Sequence, residues 1–154
     1  MKAPDAKAEK VVATNRKARH EYFVIESLET GIALTGTEVK SIRMGNVNLS
    51  DGFAIVKNGE VWLLGMHVNP YEQGSYANVD PRRDRKLLLH RTEIRRLLGK
   101  VGESGVTLIP LQLYFKNRVA KILLGVCRGK RDYDKREDIA RREVERDIRR
   151  QYAR

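Results

Sequence analysis

FAIVKNGEVWLLGMHV, residues 53–68, places two apolar runs on either side of Asn58-Gly59. Asn-Gly between apolar runs is the strongest short-range hairpin signal, because a type I′ turn needs positive φ at both central residues. The stretch therefore predicts two antiparallel strands joined by the tightest of turns.

Working outward toward the C-terminus, VTLIPLQLYF (106–115) and RVAKILLGVC (118–127) read as the last two strands, joined by a tight turn at Lys116-Asn117. Pro110 lies inside the first of them and demands an edge or a bulge there. Between the two hairpins, Asn69 to Asp84 reads as a long exposed loop, RKLLL (85–89) as a short strand or helix entry, and TEIRRLLGKVG (92–102) as a helix. Thr92 is its expected cap, with Ile94, Leu97, Leu98 and Val101 on one face and Gly102 as the stop. Toward the N-terminus, YFVIESLE and GIALTG read as two strands turning at Thr30-Gly31, and TEVKSIRMG as a short helix capped by Thr37 and ending at Gly45. Mostly antiparallel strands with hairpin links must close or cover their edges. The expected fold is mainly β: a six-stranded antiparallel barrel of oligonucleotide-binding type, with one short and one longer helix. An open sheet with helices on one face is the alternative. Residues 1–14 have no periodicity and are expected to be disordered, the barrel to span 15–128, and a basic tail to occupy 129–154.

The chain has 154 residues and a net charge of +11, which points to an anionic partner such as nucleic acid. No apolar stretch approaches the roughly 18 residues of a membrane span, and the N-terminus lacks the apolar centre of a secretion signal. A soluble, intracellular chain is expected. A single cysteine, Cys127, excludes an internal disulfide framework and reads as a buried thiol. Asn48-Leu49-Ser50 matches a glycosylation sequon by chance. His20, His67 and His90 have no metal-ligand spacing, no nucleophile elbow is present, and the glycines of GKVGESG lack the lysine and hydroxyl of a phosphate loop. Neither catalysis nor a cofactor is expected.

The cations group at strand ends and loops, where a barrel presents its ligand surface: Arg16, Lys17, Arg19 and His20; Arg82, Arg83, Arg85 and Lys86; Lys116, Arg118 and Lys121. Any one of them alone is an ordinary solubilising charge. Aromatic residues make up only 6%, with Trp62 and Phe115 expected in the core, so a folded, phosphate-rich RNA suits this surface better than sequence-tolerant single strands. The tail carries ten basic and seven acidic residues in 129–154. As a helix it sets Tyr133, Ala140, Val144, Ile148 and Tyr152 on one thin stripe. Asp134 and Glu137 form a capping-box pattern, and Glu137/Arg141, Asp138/Arg142 and Glu145/Arg149 are acid-to-base pairs worth about 0.2–0.5 kcal/mol each. The stripe is too narrow for docking on its own domain, which suggests folding against an RNA-lined surface.

NRKARHEYFVIE, GTEVKSIR, VNLSDGFA, PRRDRKLLLH, LYFKN and GKRDYDKRE, in this order, closely resemble the small protein B family, from about Asn15 to the C-terminus. The resemblance implies a cytoplasmic, monomeric, non-catalytic adaptor with an oligonucleotide-binding-like barrel. Its partners would be the tRNA-like domain of transfer-messenger RNA, the decoding centre and messenger channel of the small ribosomal subunit, and large-subunit rRNA. The tail would turn helical in the empty messenger channel, so that translation switches to a reading frame encoding a degradation tag. The residues implied at the tRNA-like elbow are Asn15, Lys17, His20, Glu29, Leu88, His90 and Lys121. Those implied at the decoding centre and channel are Lys130, Arg131, Tyr133, Asp134, Lys135 and Arg136, with Ile148 and Tyr152 as anchors. His90 stands where many members have Asn, and Val144 where some have Trp.

Overall fold

The computed structural model describes residues 9–72 and 78–130. Six strands close into a ring: β8 (Val106–Lys116), β4 (Phe53–Lys57), β5 (Glu60–Leu64), β7 (Arg85–Leu88), β2 (Tyr22–Ile32) and β9 (Val119–Gly129), with β9 returning to β8. Every pairing is antiparallel. The expected barrel is thus the fold. Closure leaves Val61, Leu63, Leu87, Leu108, Leu113, Ile122, Leu124 and Val126 buried inside it. Leu97 of α3 (Arg91–Val101) is inserted into the same core.

The Asn58-Gly59 hairpin forms as expected, with φ of 52° and 74° and Lys57 opposite Glu60. The last hairpin turns one residue later than expected, at Asn117-Arg118 (φ 51° and 67°), with Lys116 opposite Val119. Pro110 does create a bulge, since the β8–β9 register slips between Pro110 and Gln112. Beyond that bulge, β8 leaves β4 and offers its edge to β1 (Glu9–Thr14), which pairs along it from Glu9–Lys116 to Thr14–Gln112. That edge orders residues 9–14, which their own composition places in a disordered segment. Residues 1–8 and the tail beyond 130 lie outside the described residues.

No turn forms at Thr30-Gly31. β2 runs unbroken for 11 residues; Thr30 is buried, its hydroxyl donating to the Ile122 carbonyl at 3.1 Å, and Gly31 pairs with both Lys121 and Leu88. A short helix absent from the sequence reading, α1 (Arg16–Glu21), follows Asn15. The helix α2 (Gly36–Arg43) is capped by Thr35, not Thr37, in a capping box with Glu38. The helix α3 starts after His90, whose N–H donates to Glu93, not after Thr92. The two-residue strands β3 (Val47–Asn48) and β6 (His67–Val68) pair separately.

Glu38 is buried, as is Arg85, which is fully enclosed. The Glu38 carboxylate accepts from Arg83 (2.6 and 3.1 Å), Arg85 (2.7 Å) and the Thr35 N–H (2.9 Å). Two of the four cations of PRRDRK are therefore committed to the fold rather than to a ligand.

Candidate nucleic-acid interface

β9 divides its residues between two faces. Ile122, Leu124 and Val126 enter the barrel, while Leu123 and Cys127 join an outer cluster with Ile109, Leu111 and Ala18 of α1. Ala18 thus packs α1 on the outside of β8 and β9. Asn15 sets that helix: its Oδ1 accepts from the Ala18 N–H (3.0 Å), and its Nδ2 donates to the carbonyls of Leu49 (3.1 Å) and Pro110 (2.9 Å). With 2% exposure it offers RNA no hydrogen-bonding group. Its part is to position α1, whose Lys17 and His20 are exposed.

Lys17 stands 3.9 Å from Asp51, which also draws Arg82 to 3.8 Å. Asp51 escaped the sequence reading. The Asp51 carbonyl lies where a Cβ on Gly65 would come within 2.2 Å, so the φ of +79° at Gly65 and its missing side chain let these two segments touch. A groove of about 290 Å³ opens beside Lys17, between α1 and Ser50–Phe53.

Farther along the same outer face, Leu88, Gly31, Lys121 and Tyr114 form one cross-strand row over β7, β2, β9 and β8. A Cβ on Gly31 would stand 3.1 Å from that of Leu88, so glycine admits the half-exposed Leu88. Glu29, opposite Leu123, accepts from the Tyr114 hydroxyl at 2.6 Å and lies 3.6 Å from Lys116. This resolves the oddity of an acid in a basic surface: Glu29 fixes a tyrosine and a lysine. His90 is exposed two residues past Leu88. The structure therefore gathers Glu29, Leu88, His90 and Lys121 at one end of the outer face, and Lys17 and His20 toward the other. Cys127 lies six positions beyond Lys121 in β9, which at roughly 3.3 Å per residue is about 20 Å.

Tyr114 was the other residue missed, since strand alternation alone does not tell which end of a two-layered strand faces outward. Lys86 pairs with Glu60, and Arg96 with Glu26 at 2.6 Å. Cys127 is buried under α1, and burial pushes its thiol up to about 11. Lys130 is held on the body, its Nζ donating to the Arg19 carbonyl (3.3 Å) and lying 5.2 Å from the Phe23 ring centroid. Arg131, Tyr133, Asp134, Lys135, Arg136, Ile148 and Tyr152 lie outside the described residues. Among the described residues no group of three or more His, Cys, Asp or Glu is placed to hold a metal ion, and no helix is long and apolar enough to cross a membrane.

Residues 12–154 match the family model described as SmpB protein. An SsrA-binding protein of Acetivibrio thermocellus is 61% identical over 144 residues, covering 93% of this chain and 94% of the relative. Those of Desulfitobacterium hafniense (strain DCB-2) and Carboxydothermus hydrogenoformans are each 59% identical, over 143 and 140 residues, covering 93% and 91% of this chain and 92% and 94% of theirs. A solved structure described as "tmRNA-SmpB: a journey to the center of the bacterial ribosome" shares 58% identity at a TM-score of 0.67, covering 78% of this chain and 84% of that one.

Proposed function

The chain belongs to the SmpB protein family, and from that we propose that it is the RNA-binding adaptor of bacterial ribosome rescue. It binds the tRNA-like domain of transfer-messenger RNA and brings it, in the cytoplasm, to ribosomes stalled without a codon in the A site. It works by binding, without catalysis. The observation that carries the reading is the single outer face holding Lys121, Leu88, Glu29 and His90 at one end, and Lys17 with His20 on α1 where it packs over Cys127, about 20 Å farther along β9. That spacing suits a rigid, folded RNA gripped at two places. Lys17 and Lys121 neutralise phosphates, His20 and His90 offer hydrogen-bonding groups, Leu88 supplies an apolar contact, and Glu29 holds Lys116 and Tyr114 in place. Asn15 supports the site by fixing α1. The division of the chain into an RNA-gripping body and a tail for the messenger channel belongs to the same proposal, with Lys130, Arg131, Tyr133, Asp134, Lys135 and Arg136 at the decoding centre, and Ile148 and Tyr152 deeper in the channel.

Competition binding at fixed salt tests this. The tRNA-like domain should displace an unstructured RNA of equal length, and Glu29→Ala should weaken the tRNA-like domain without affecting the unstructured probe. Equal affinity for the two RNAs would favour a general single-strand-binding barrel instead.

A further inference from the structure

A second basic site lies at the end of the barrel, away from the outer face just described. Lys10 and Val12 of β1, Arg43 at the end of α2, Phe115 of β8 and Arg118 in the β8–β9 turn line an open cavity of about 430 Å³. Its size falls within the roughly 300–1,000 Å³ of small-ligand pockets. Three of its five residues are cations and none is an acid. Elsewhere many cations are matched: Lys17, Arg82, Arg83, Arg85, Lys86, Arg96, Lys116 and Arg128 each stand within 4.0 Å of a carboxylate, and what sets the cavity apart is three cations meeting around one hollow with no acid in its lining. Among the described residues, Lys10, Arg43 and Arg118 have neither an ion pair nor a side-chain hydrogen bond. All three are exposed. Three unneutralised cations around one hollow repel each other, and an anion placed among them relieves that repulsion.

The floor of the cavity says which anion. Phe115 and Val12 are apolar, and the Arg43 guanidinium lies 5.5 Å from the Phe115 ring centroid, a cation–π distance that restrains its plane. A bare phosphate gains nothing from such a floor. A nucleobase stacks on aromatic rings and on guanidinium planes alike, while its phosphate takes the flanking cations. Phe115 and Tyr114 are successive residues of β8 and face opposite ways. Tyr114 looks toward Glu29 on the outer face and Phe115 into the core end, so the two sites lie back to back across one strand. GTEVKSIR now accounts for both its charged ends: Glu38 holds the core, and Arg43 forms one wall of this cavity.

We propose that this cavity binds one unstacked nucleotide of an RNA strand, its base against Arg43 and Phe115 and its phosphate between Lys10 and Arg118. The body would then hold RNA on two sides at once.

The test uses the full-length protein with a five-nucleotide oligoadenylate, an abasic ribose-phosphate chain of the same length, and inorganic phosphate, followed by backbone amide shifts. Oligoadenylate should shift amides around Lys10, Arg43, Phe115 and Arg118, and should bind several-fold more tightly than the abasic chain. Arg43→Gln should remove most of that difference. Arg118→Gln should lower the salt slope of oligoadenylate binding by about 0.7, one single-strand phosphate. Both variants alter exposed side chains and should melt with the parent, and both should keep full affinity for the tRNA-like domain. Shifts confined to the Glu29–Lys121 face, no shifts at millimolar probe, or equal binding of oligoadenylate and the abasic chain would each overturn the proposal. Loss of tRNA-like RNA affinity in Arg43→Gln would overturn it too, by making the cavity part of the first interface.

Discussion

Replacing Glu38 by Ala removes the carboxylate on which two arginines converge. Arg83 reaches it at 2.6 and 3.1 Å and Arg85 at 2.7 Å. Arg83 retains solvent contact and can turn outward, but Arg85 is fully enclosed, its remaining N–H groups bound to the carbonyls of Met66, Arg83 and Pro81. Breaking a buried pair from one side leaves an uncompensated charge and costs about 3–5 kcal/mol. At about 3 °C per kcal/mol for a domain of this size, thermal unfolding at pH 7 should fall by about 10–15 °C. The pH dependence supplies a second reading of the same variant. Burial pushes the Glu38 carboxyl up, but the donors from Arg83, Thr35 and Arg85 outweigh it and hold its pKa below the ordinary 4.5. Its stabilising contribution is complete at neutral pH and is lost as the pH falls through the depressed folded-state value, so parent and variant should converge in acid. Far-UV circular dichroism melts between pH 7 and 3 make the comparison. A loss under about 3 °C at pH 7, or a gap that widens in acid, would mean that Glu38 does not hold Arg85 in this way.

Asn15→Ala removes three side-chain hydrogen bonds and leaves the Leu49 and Pro110 carbonyls without that partner; a loss of about 2–4 kcal/mol in urea unfolding is expected. Cys127, buried and raised to about 11, should resist a thiol reagent at pH 8 in native protein and react at once in denaturant. Lys121→Ala should lower the slope of log affinity against log salt for the tRNA-like RNA by about 0.7–0.9, one phosphate contact. An unchanged slope would place Lys121 outside the interface.

What could be read from the sequence was what local chemistry decides. Asn58-Gly59 is such a case, because the turn's positive φ angles are set by those two residues themselves. Thr30-Gly31 looks like a turn by the same standard, but its glycine answers to a neighbour: it admits Leu88 from the adjacent strand, a long-range demand with no local mark. Glu9–Thr14 becomes a strand only because the Pro110 bulge frees an edge of β8 nearly a hundred residues away in the chain. Some marks were present and were passed over. Thr35 stands three residues before Glu38, the capping-box spacing, and His90 stands likewise before Glu93. The candidate site divides the same way. Exposed Lys17 and half-buried Lys121 followed from charge and resemblance, whereas Asn15 reads as a polar surface residue until its cap and the two carbonyls it meets are seen together. PRRDRK reads as a solvated run, and only the fold reveals that Arg83 and Arg85 belong to Glu38.

In this division of labour the body grips the RNA and the tail acts only on the ribosome. Deleting residues 131–154, which leaves Lys130 and every described contact in place, tests it most directly when tRNA-like RNA affinity and tag addition on stalled ribosomes are measured side by side. RNA affinity and ribosome recruitment should be unchanged and tagging abolished. A truncated protein that loses RNA affinity, or one that still supports tagging, would contradict that division.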